Sequence, residues 1–263
     1  MQELTFEVQP IAKVLGEGLS GSGSLVNQAY LLLRKQIVSL ALPPESPLVE
    51  QEVASALAIS KTPVREAIIR LSHEGLVKVV PKSGSYVTAI SLDRYFEACF
   101  IRTQLEVGCV RRLASHGIGM ADHVKLKALL TEQRQALKTN DDALFFELDE
   151  RFHRQLFELA GLPGAWEVLQ TAKAEIDRVR QLKRHFGFRQ RRLVIQEHAA
   201  IVDAIVSRDP ESAEGYLLDN IGAADDEIGS ISENPLLLRT IDDLNKLVSM
   251  ESRSHRAGKA TKA

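Results

Sequence analysis

The sequence predicts a mainly α-helical protein, in which an N-terminal winged helix-turn-helix domain is followed by a C-terminal all-α helical bundle. Within residues 49–88, two short amphipathic helices precede two β-rich runs. After residue 90, apolar residues recur at helical spacing and no strand-like segment appears. The composition agrees, because only 5% of the residues are aromatic while helix-favouring Ala, Leu, Glu and Arg are frequent. A length of 263 residues is enough for two domains.

The first 24 residues show little pattern and end in a Gly/Ser-rich run, which predicts a flexible N-terminal segment over 1–24. The next domain, residues 25–90, begins with a helix predicted over 25–40. The apolar stripe of this helix consists of Ala29, Leu32, Leu33 and Ile37. A stripe of this kind predicts that the helix packs its one apolar side against the rest of the domain.

The predicted helix-turn-helix follows at 49–75. Apolar residues at helical spacing reach Leu57, and the pattern then breaks for three residues. Thr62 is a suitable cap for the second helix, and Pro63 fits its first position, where no backbone donor is missed. Gly75 suits the end of that helix, because glycine readily adopts a left-handed conformation.

A hairpin with a basic turn follows the second helix, formed by β-rich runs at 76–80 and 85–88. A helix with cationic and hydroxyl groups at its N-terminus suits the major groove of double-stranded DNA. The net charge is only −2, but residues 60–90 contain five Lys or Arg against two acids, which is a local positive footprint. The alternative is a small α+β module that contacts only protein. The candidate DNA-binding residues are Gln51, Ser60, Lys61, Thr62, Arg65, Lys82 and Gly84.

These residues resemble the N-terminal domain of GntR-family transcription regulators. The similarity lies in the run SKTPVREA at 60–67 and in the order and spacing of the residues that follow, namely Arg70, Leu71, 74–77, Gly84 and Val87. Lys61 departs from the family, which usually has Arg there, and Lys lacks the bidentate fork that Arg offers to guanine. A proline-rich stretch at 42–47 replaces the usual Gly-rich turn. The resemblance implies a homodimer that places two such helices on an inverted-repeat operator.

The second domain, residues 91–250, is predicted to be a bundle of helices separated by glycine, asparagine and proline breaks. The predicted helices cover 91–115, 121–139, 141–160, 163–185, 189–207, 210–230 and 235–250. The basic segment that follows, 251–263, is expected to be a disordered tail.

Three of these helices place polar residues on apolar faces. Asp149 and His153 are four residues apart and share one face. His198 and Asn220 lie among apolar residues on two later helices. Burial without partners costs free energy, so these groups are expected to meet one another or a ligand. An Asp oxygen and two imidazoles suit a divalent metal ion such as Zn²⁺, Ni²⁺ or Mn²⁺. The alternative is ordinary hydrogen bonding within a core.

The helical domain resembles the FCD type of ligand-binding domain, found in the FadR-like branch of the GntR family. The resemblance implies that Asp149, His153 and His198 hold a divalent metal, with Asn220 where the family more commonly has His. It also implies that Arg102 faces the effector pocket. A divalent ion balanced by one Asp would attract an anionic effector, most simply a carboxylate. The alternative for Arg102 is an exposed ion pair with Glu106, one turn away.

The function expected from both resemblances is a ligand-responsive transcription repressor, released from its operator by a small carboxylate. Alternatives are a metal-dependent hydrolase-like enzyme, a direct metal sensor, and an activator. Cys99 and Cys109, the only cysteines, would lie about 15 Å apart on one helix, too far for a disulfide. No apolar run approaches the ~20 residues of a membrane span. A cytoplasmic protein is therefore expected.

Overall fold

The computed structural model is mainly helical, as predicted. It describes residues 9–16, 18–19, 23–185, 191–222, 229 and 231–260, with backbone alone at 184–185 and 248–260. The helices before the hairpin are α1 Ile11–Val14, α2 Leu25–Val38, α3 Glu50–Ala56 and α4 Lys61–His73. The two strands are β1 Val77–Val80 and β2 Gly84–Val87. The later helices are α5 Leu92–His116, α6 Met120–Lys138, α7 Asp142–Leu159, α8 Pro163–Ala172, α9 Ala174–His185, α10 Arg191–Val206, α11 Pro210–Ile221 and α12 Pro235–Ala260. Within these ranges, no helix is both long enough and apolar enough to span a bilayer.

The chain divides into two compact units. The head unit consists of Met1–Tyr95, Ala174–Phe186 and Ile231–Ala263, and the bundle unit consists of Phe96–Lys173 and Gly187–Ser230. Helices α9 and α12 therefore belong to the head unit, although the sequence suggested a helical domain over 91–250. The difference arises because α9 contributes side chains to the core and to the hydrogen bonds of the head.

The head unit is built on α2, α3 and α4, whose apolar faces share one core. Leu33, Ile37, Val64 and Leu71 are completely buried there. The helix-turn-helix forms as predicted, but α4 begins at Lys61, with an extended Ser60 before it. Thr62 is therefore within the first turn of the helix and is not its cap. The polar side chains at this end of α4 remain exposed, since the core takes only its apolar face.

The hairpin after α4 is a two-stranded antiparallel wing. Val77 pairs with Val87, and Val80 pairs with Gly84 at the turn. Lys82 and Gly84 both have positive φ angles, of 62° and 134°, which close the turn. A β-branched residue would be strained at either position. The structure thus confirms a wing whose turn presents a basic residue.

The N-terminal segment, predicted to be flexible, is partly folded. Ile11–Val14 is a short helix, and Leu15 is completely buried in the core of the head unit. At the other end of the chain, α12 continues to Ala260, so the predicted disordered tail at 251–263 is helical over its described residues. No proline follows Pro235 to interrupt that helix.

Helix α9 is joined to the head by buried polar contacts. The sequence predicts one helix over 163–185, but it breaks at Lys173, and α9 then contributes Arg178. The Arg178 side chain is fully buried, pairs with Glu175, and donates to the Thr88 carbonyl oxygen at 2.8 Å. Asn245 of α12 bonds both the N–H and the carbonyl of Ile90. These contacts fix the segment that connects the wing to α5.

The bundle unit has its own apolar core, formed by residues of α5, α6, α7, α8, α10 and α11. Its most deeply buried members include Phe152, Ile201, Ile205 and Leu217. Helix α10 packs against both α6 and α11, and α6 also packs against α7. This arrangement turns the polar positions of α5, α6, α7, α10 and α11 toward the interior.

Candidate metal site and candidate DNA-binding surface

The structure brings together three of the predicted metal-ligand residues. Asp149 and His153 lie one turn apart on α7, and His198 comes from α10. One ligand atom from each of the three lies within 4.8 Å of the other two, and all three side chains are buried. Carboxylate and imidazole groups at such distances have the composition and spacing of a divalent metal site.

The two ring nitrogens of His198 have distinct partners. Nδ1 lies 3.0 Å from Oε1 of Gln133 on α6, an oxygen that can only accept, so Nδ1 donates its proton. In the neutral ring, Nε2 then presents a lone pair, and it lies 3.5 Å from Oδ1 of Asp149. Two electron-rich atoms at that distance repel each other unless a proton or a cation lies between them. Phe152 stacks on the His198 ring at 3.9 Å between centroids and fixes its plane.

His153 is held in the same way by a carboxylate. Its Nδ1 lies 2.6 Å from Oε2 of Glu106, and Oε1 of Glu106 accepts from Nε of Arg102 at 2.7 Å. Burial alone would raise the pKa of Glu106, but Arg102 and His153 outweigh it and hold that pKa well below its usual range. Glu106 is thus ionised and orients the imidazole. The Nε2 atom of His153 is buried and, among the described residues, has no hydrogen-bond partner. An unpartnered buried nitrogen facing this cluster fits a metal ligand.

Arg102 forms the predicted ion pair with Glu106, but in the interior. Only 5% of Arg102 is exposed, so the expectation of an exposed pair is not met. Asn220 of α11 is also buried, and its Nδ2 donates to Oε2 of Glu197 at 3.0 Å. Glu197 directly precedes His198 in the sequence, but Asn220 contacts the carboxylate of Glu197, so its role as a metal ligand stays a prediction.

The sequence alone did not indicate a role for Gln133, and for Glu106 it suggested only an exposed ion pair with Arg102. The side chain of Gln133 is fully buried, with a relative exposure of 0%, although it lies on an otherwise amphipathic helix. A buried Gln at a core position of α6 is a signal that the sequence contained, because a polar side chain there needs a partner. Its partner could not be read from spacing, because His198 is 65 residues away.

We expect the ionisation of Glu106 to make the unfolding free energy depend on pH in the acidic range. A carboxyl whose pKa is depressed in the folded state stabilises the fold above its unfolded pKa of ~4.3 and loses that contribution as the pH falls. Glu106→Gln is therefore expected to cost about 3 kcal/mol of unfolding free energy near pH 7, because Arg102 loses its countercharge. The cost should shrink as the pH falls below ~4. Urea denaturation of both proteins between pH 3 and pH 7 measures it, and a cost that does not vary with pH would contradict this role.

The candidate DNA-binding residues form the exposed end of the helix-turn-helix and the tip of the wing. All of them are exposed, namely Gln51, Ser60, Lys61, Thr62, Arg65, Lys82 and Gly84. The sequence did not indicate that Arg65 forms an ion pair with Glu50 of α3, in which Nε and Nη2 each bind one carboxylate oxygen at 3.0 and 2.9 Å. Lys78, on the wing, pairs similarly with Glu45.

The protein combines a winged helix-turn-helix that has an exposed basic tip with a helical domain that has a buried polar centre. This combination is typical of a DNA-binding transcription regulator. Comparison with known families agrees. The model for bacterial regulatory proteins of the gntR family matches residues 25–87, and the FCD domain model matches residues 97–222. The chain belongs to the GntR family of transcription regulators, and it is not an enzyme, so the hydrolase alternative is rejected.

Relatives of known sequence support this assignment, and a solved structure has a similar fold. The chain is 33% identical to the HTH-type transcriptional repressor RspR of Escherichia coli over 78% of this chain and 90% of the relative. It is 36% identical to an HTH-type transcriptional regulator from an unstable DNA locus of Streptomyces ambofaciens, over 80% of this chain and 88% of the relative. The structure of E. coli McbR/YncC is similar in fold, with a TM-score of 0.66 and 22% identity over 81% of this chain and 99% of that one.

Proposed function

We propose that the protein is a ligand-responsive repressor, which binds an inverted-repeat operator as a homodimer and is released by a small carboxylate. A divalent metal ion, most simply Zn²⁺, Ni²⁺ or Mn²⁺, belongs to the effector site in the bundle unit. The repressor role is the one named for the relative RspR. The observation on which the proposal depends most is the buried cluster of one carboxylate and two imidazoles, in which one ligand atom from each residue lies within 4.8 Å of the other two.

The residues that would hold the ion are Asp149, His153 and His198, with the amide oxygen of Asn220 as the fourth candidate. A bound divalent ion would supply a Lewis-acidic centre with a position for an effector oxygen. Asp149 contributes a single negative charge, so the centre keeps a net positive charge and favours an anion. Glu106 and Gln133 orient the two imidazoles, as outer partners of metal-bound histidines commonly do.

Arg102 is the proposed second cationic group of the effector site. It is buried on α5, one turn from Glu106, and close enough to Asp149 for the two charges to interact. A carboxylate effector entering the site would compete with Glu106 for this guanidinium, because both offer the same bidentate acceptor geometry. Such an exchange gives the effector different affinities for two arrangements of the bundle, which any ligand-driven switch requires.

The exposed end of α4 is the part of the head unit that we expect to contact the bases and the backbone of the DNA. Lys61, Thr62 and Arg65 would enter the major groove, with Gln51 and Ser60 beside them. Lys82 and Gly84, at the tip of the wing, would lie against the backbone or the minor groove. Two copies of the chain are needed to read both halves of an inverted repeat.

The test selects duplexes from a random DNA pool with the purified full-length protein, and then challenges the complex with pooled metabolites. Enrichment of an inverted repeat and its release by at least one carboxylate would support the proposal. Failure to enrich any sequence would contradict the DNA-binding part. Release only by compounds without a carboxylate would contradict the effector class.

The complete burial of all three ligand residues also favours a second candidate, a direct metal sensor in which the ion itself is the signal. The two candidates differ in what alters operator affinity. A metal sensor changes its affinity when a chelator is titrated against the metal, with no organic acid present. The effector-responsive repressor changes its affinity only when the carboxylate is added to the metal-loaded protein.

A further inference from the structure

The pairing of Arg65 with Glu50 is a feature of the DNA-binding surface that its proposed role does not explain. Glu50 is the first residue of α3, and Arg65 lies on the exposed side of α4, in the first part of the helix. The side chain of Arg65 is 65% exposed and that of Glu50 is 29% exposed. If Arg65 contacted only phosphates, an acid beside it would weaken DNA binding, since the acid repels the DNA backbone.

The geometry of the pair leaves half of the guanidinium available. Glu50 occupies the edge formed by Nε and Nη2, at 3.0 and 2.9 Å. The opposite edge, which carries the Nη1 hydrogens and the second Nη2 hydrogen, is planar and forked. This edge can donate two parallel hydrogen bonds, as arginine does to O6 and N7 of guanine.

We propose that Glu50 is a specificity-determining residue, which holds the guanidinium of Arg65 in the orientation that reads a guanine edge in the major groove. This inference depends on the proposed placement of Arg65 at the DNA. Glu50 fixes the last torsions of a long, exposed side chain before binding, so less conformational freedom is lost when the base contact forms. It also cancels most of the charge of Arg65, which weakens phosphate contacts but leaves directional hydrogen bonds to a base.

The charge state of Glu50 is suited to this role. Hydrogen bonds from Arg65 lower the pKa of the Glu50 carboxyl below its ordinary value, although partial burial opposes them. The carboxylate is therefore ionised at neutral pH, and the pair persists throughout the range in which DNA binding is measured. Arg65 is largely exposed, so solvent screens the pair and the contact contributes little to the stability of the packing between α3 and α4.

The test compares Glu50→Gln with Glu52→Gln, a matched control that removes the same charge from the same helix. Both full-length variants are titrated at several salt concentrations against the operator selected above and against a scrambled duplex of the same composition. Glu50→Gln is expected to lower the ratio of specific to nonspecific affinity about tenfold, because the freed Arg65 reads guanine less well. It should also steepen the dependence of log affinity on log salt by about 1 per subunit, as Arg65 contacts a phosphate instead.

Glu52→Gln is expected to raise both affinities alike and leave their ratio unchanged, because it alters only the local field. If Glu50→Gln behaves like Glu52→Gln while Arg65→Ala abolishes specific binding, the inference about Glu50 is wrong and the placement of Arg65 stands. If Arg65→Ala leaves specific binding unchanged, the placement of Arg65 is wrong, and the inference fails with it. Thermal melting of each variant, measured without DNA, verifies that the fold is intact.

Discussion

Replacing Arg65 by Ala is expected to abolish specific operator binding while leaving the metal content of the protein unchanged. A bidentate arginine contact with a base discriminates by about 1–3 kcal/mol. A homodimer loses it in both half-sites, so the operator affinity should fall by about 2–6 kcal/mol, or roughly 30-fold to 10⁴-fold. The fold should survive, because Arg65 is exposed and Glu50, its ion-pair partner, is itself partly accessible to water.

Arg70→Ala is the matched control, because it removes the same charge from the same helix. Arg70 stacks on the Tyr30 ring and bonds Asn27, so it belongs to the packing of the head rather than to the exposed tip of α4. Fluorescence anisotropy with the selected operator measures both variants. An Arg65→Ala protein that binds the operator with wild-type affinity would refute the assignment of α4 as the helix that reads DNA.

Replacing His198 by Ala is expected to produce the second large effect, a loss of bound metal. Structural sites with four ligands bind zinc with an apparent free energy of about 10–16 kcal/mol, so each ligand contributes about 2.5–4 kcal/mol. The metal affinity of His198→Ala should therefore fall about 10²-fold to 10³-fold. Elemental analysis of the purified protein, followed by competition with a chromogenic chelator, measures the loss.

His116→Ala serves as the control for the metal prediction. His116 is an exposed histidine at the end of α5, and its Nδ1 contacts the Arg112 carbonyl oxygen of its own helix. This variant should retain the wild-type metal content, and both variants should bind operator DNA in the absence of effector. Equal metal content in wild type and His198→Ala would show that the buried cluster is only a hydrogen-bonded core.

Much of the fold follows from local patterns. Apolar spacing locates the starts of most helices to within about two residues, but the helix predicted over 210–230 ends at Ile221 and the one predicted over 235–250 continues to Ala260. Gly75, whose φ is +69°, follows the end of α4 as its sequence predicts. The assignment of α9 to the head could not be made in this way. It depends on Arg178, whose partners Glu175 and Thr88 are near in space, although Thr88 is 90 residues away in sequence.

The same limit applies to the candidate site. The spacing of Asp149 and His153 on one helix face, together with the resemblance, was enough to identify the three residues that cluster. The partners that orient them, Glu106 and Gln133, follow from the packing of α5 and α6 and not from any local pattern. The Glu50–Arg65 pair was not predicted for the same reason, since it depends on the angle between α3 and α4.

The central proposal is that a buried metal centre in the bundle unit governs DNA binding by the head unit. The most direct measurement titrates the protein–operator complex with individual carboxylates and follows anisotropy, for the wild type and for His198→Ala. We expect at least one carboxylate to release the wild-type protein, and we expect the same compound, at the same concentration, to leave the His198→Ala complex intact. Release of both complexes at equal concentrations would contradict it.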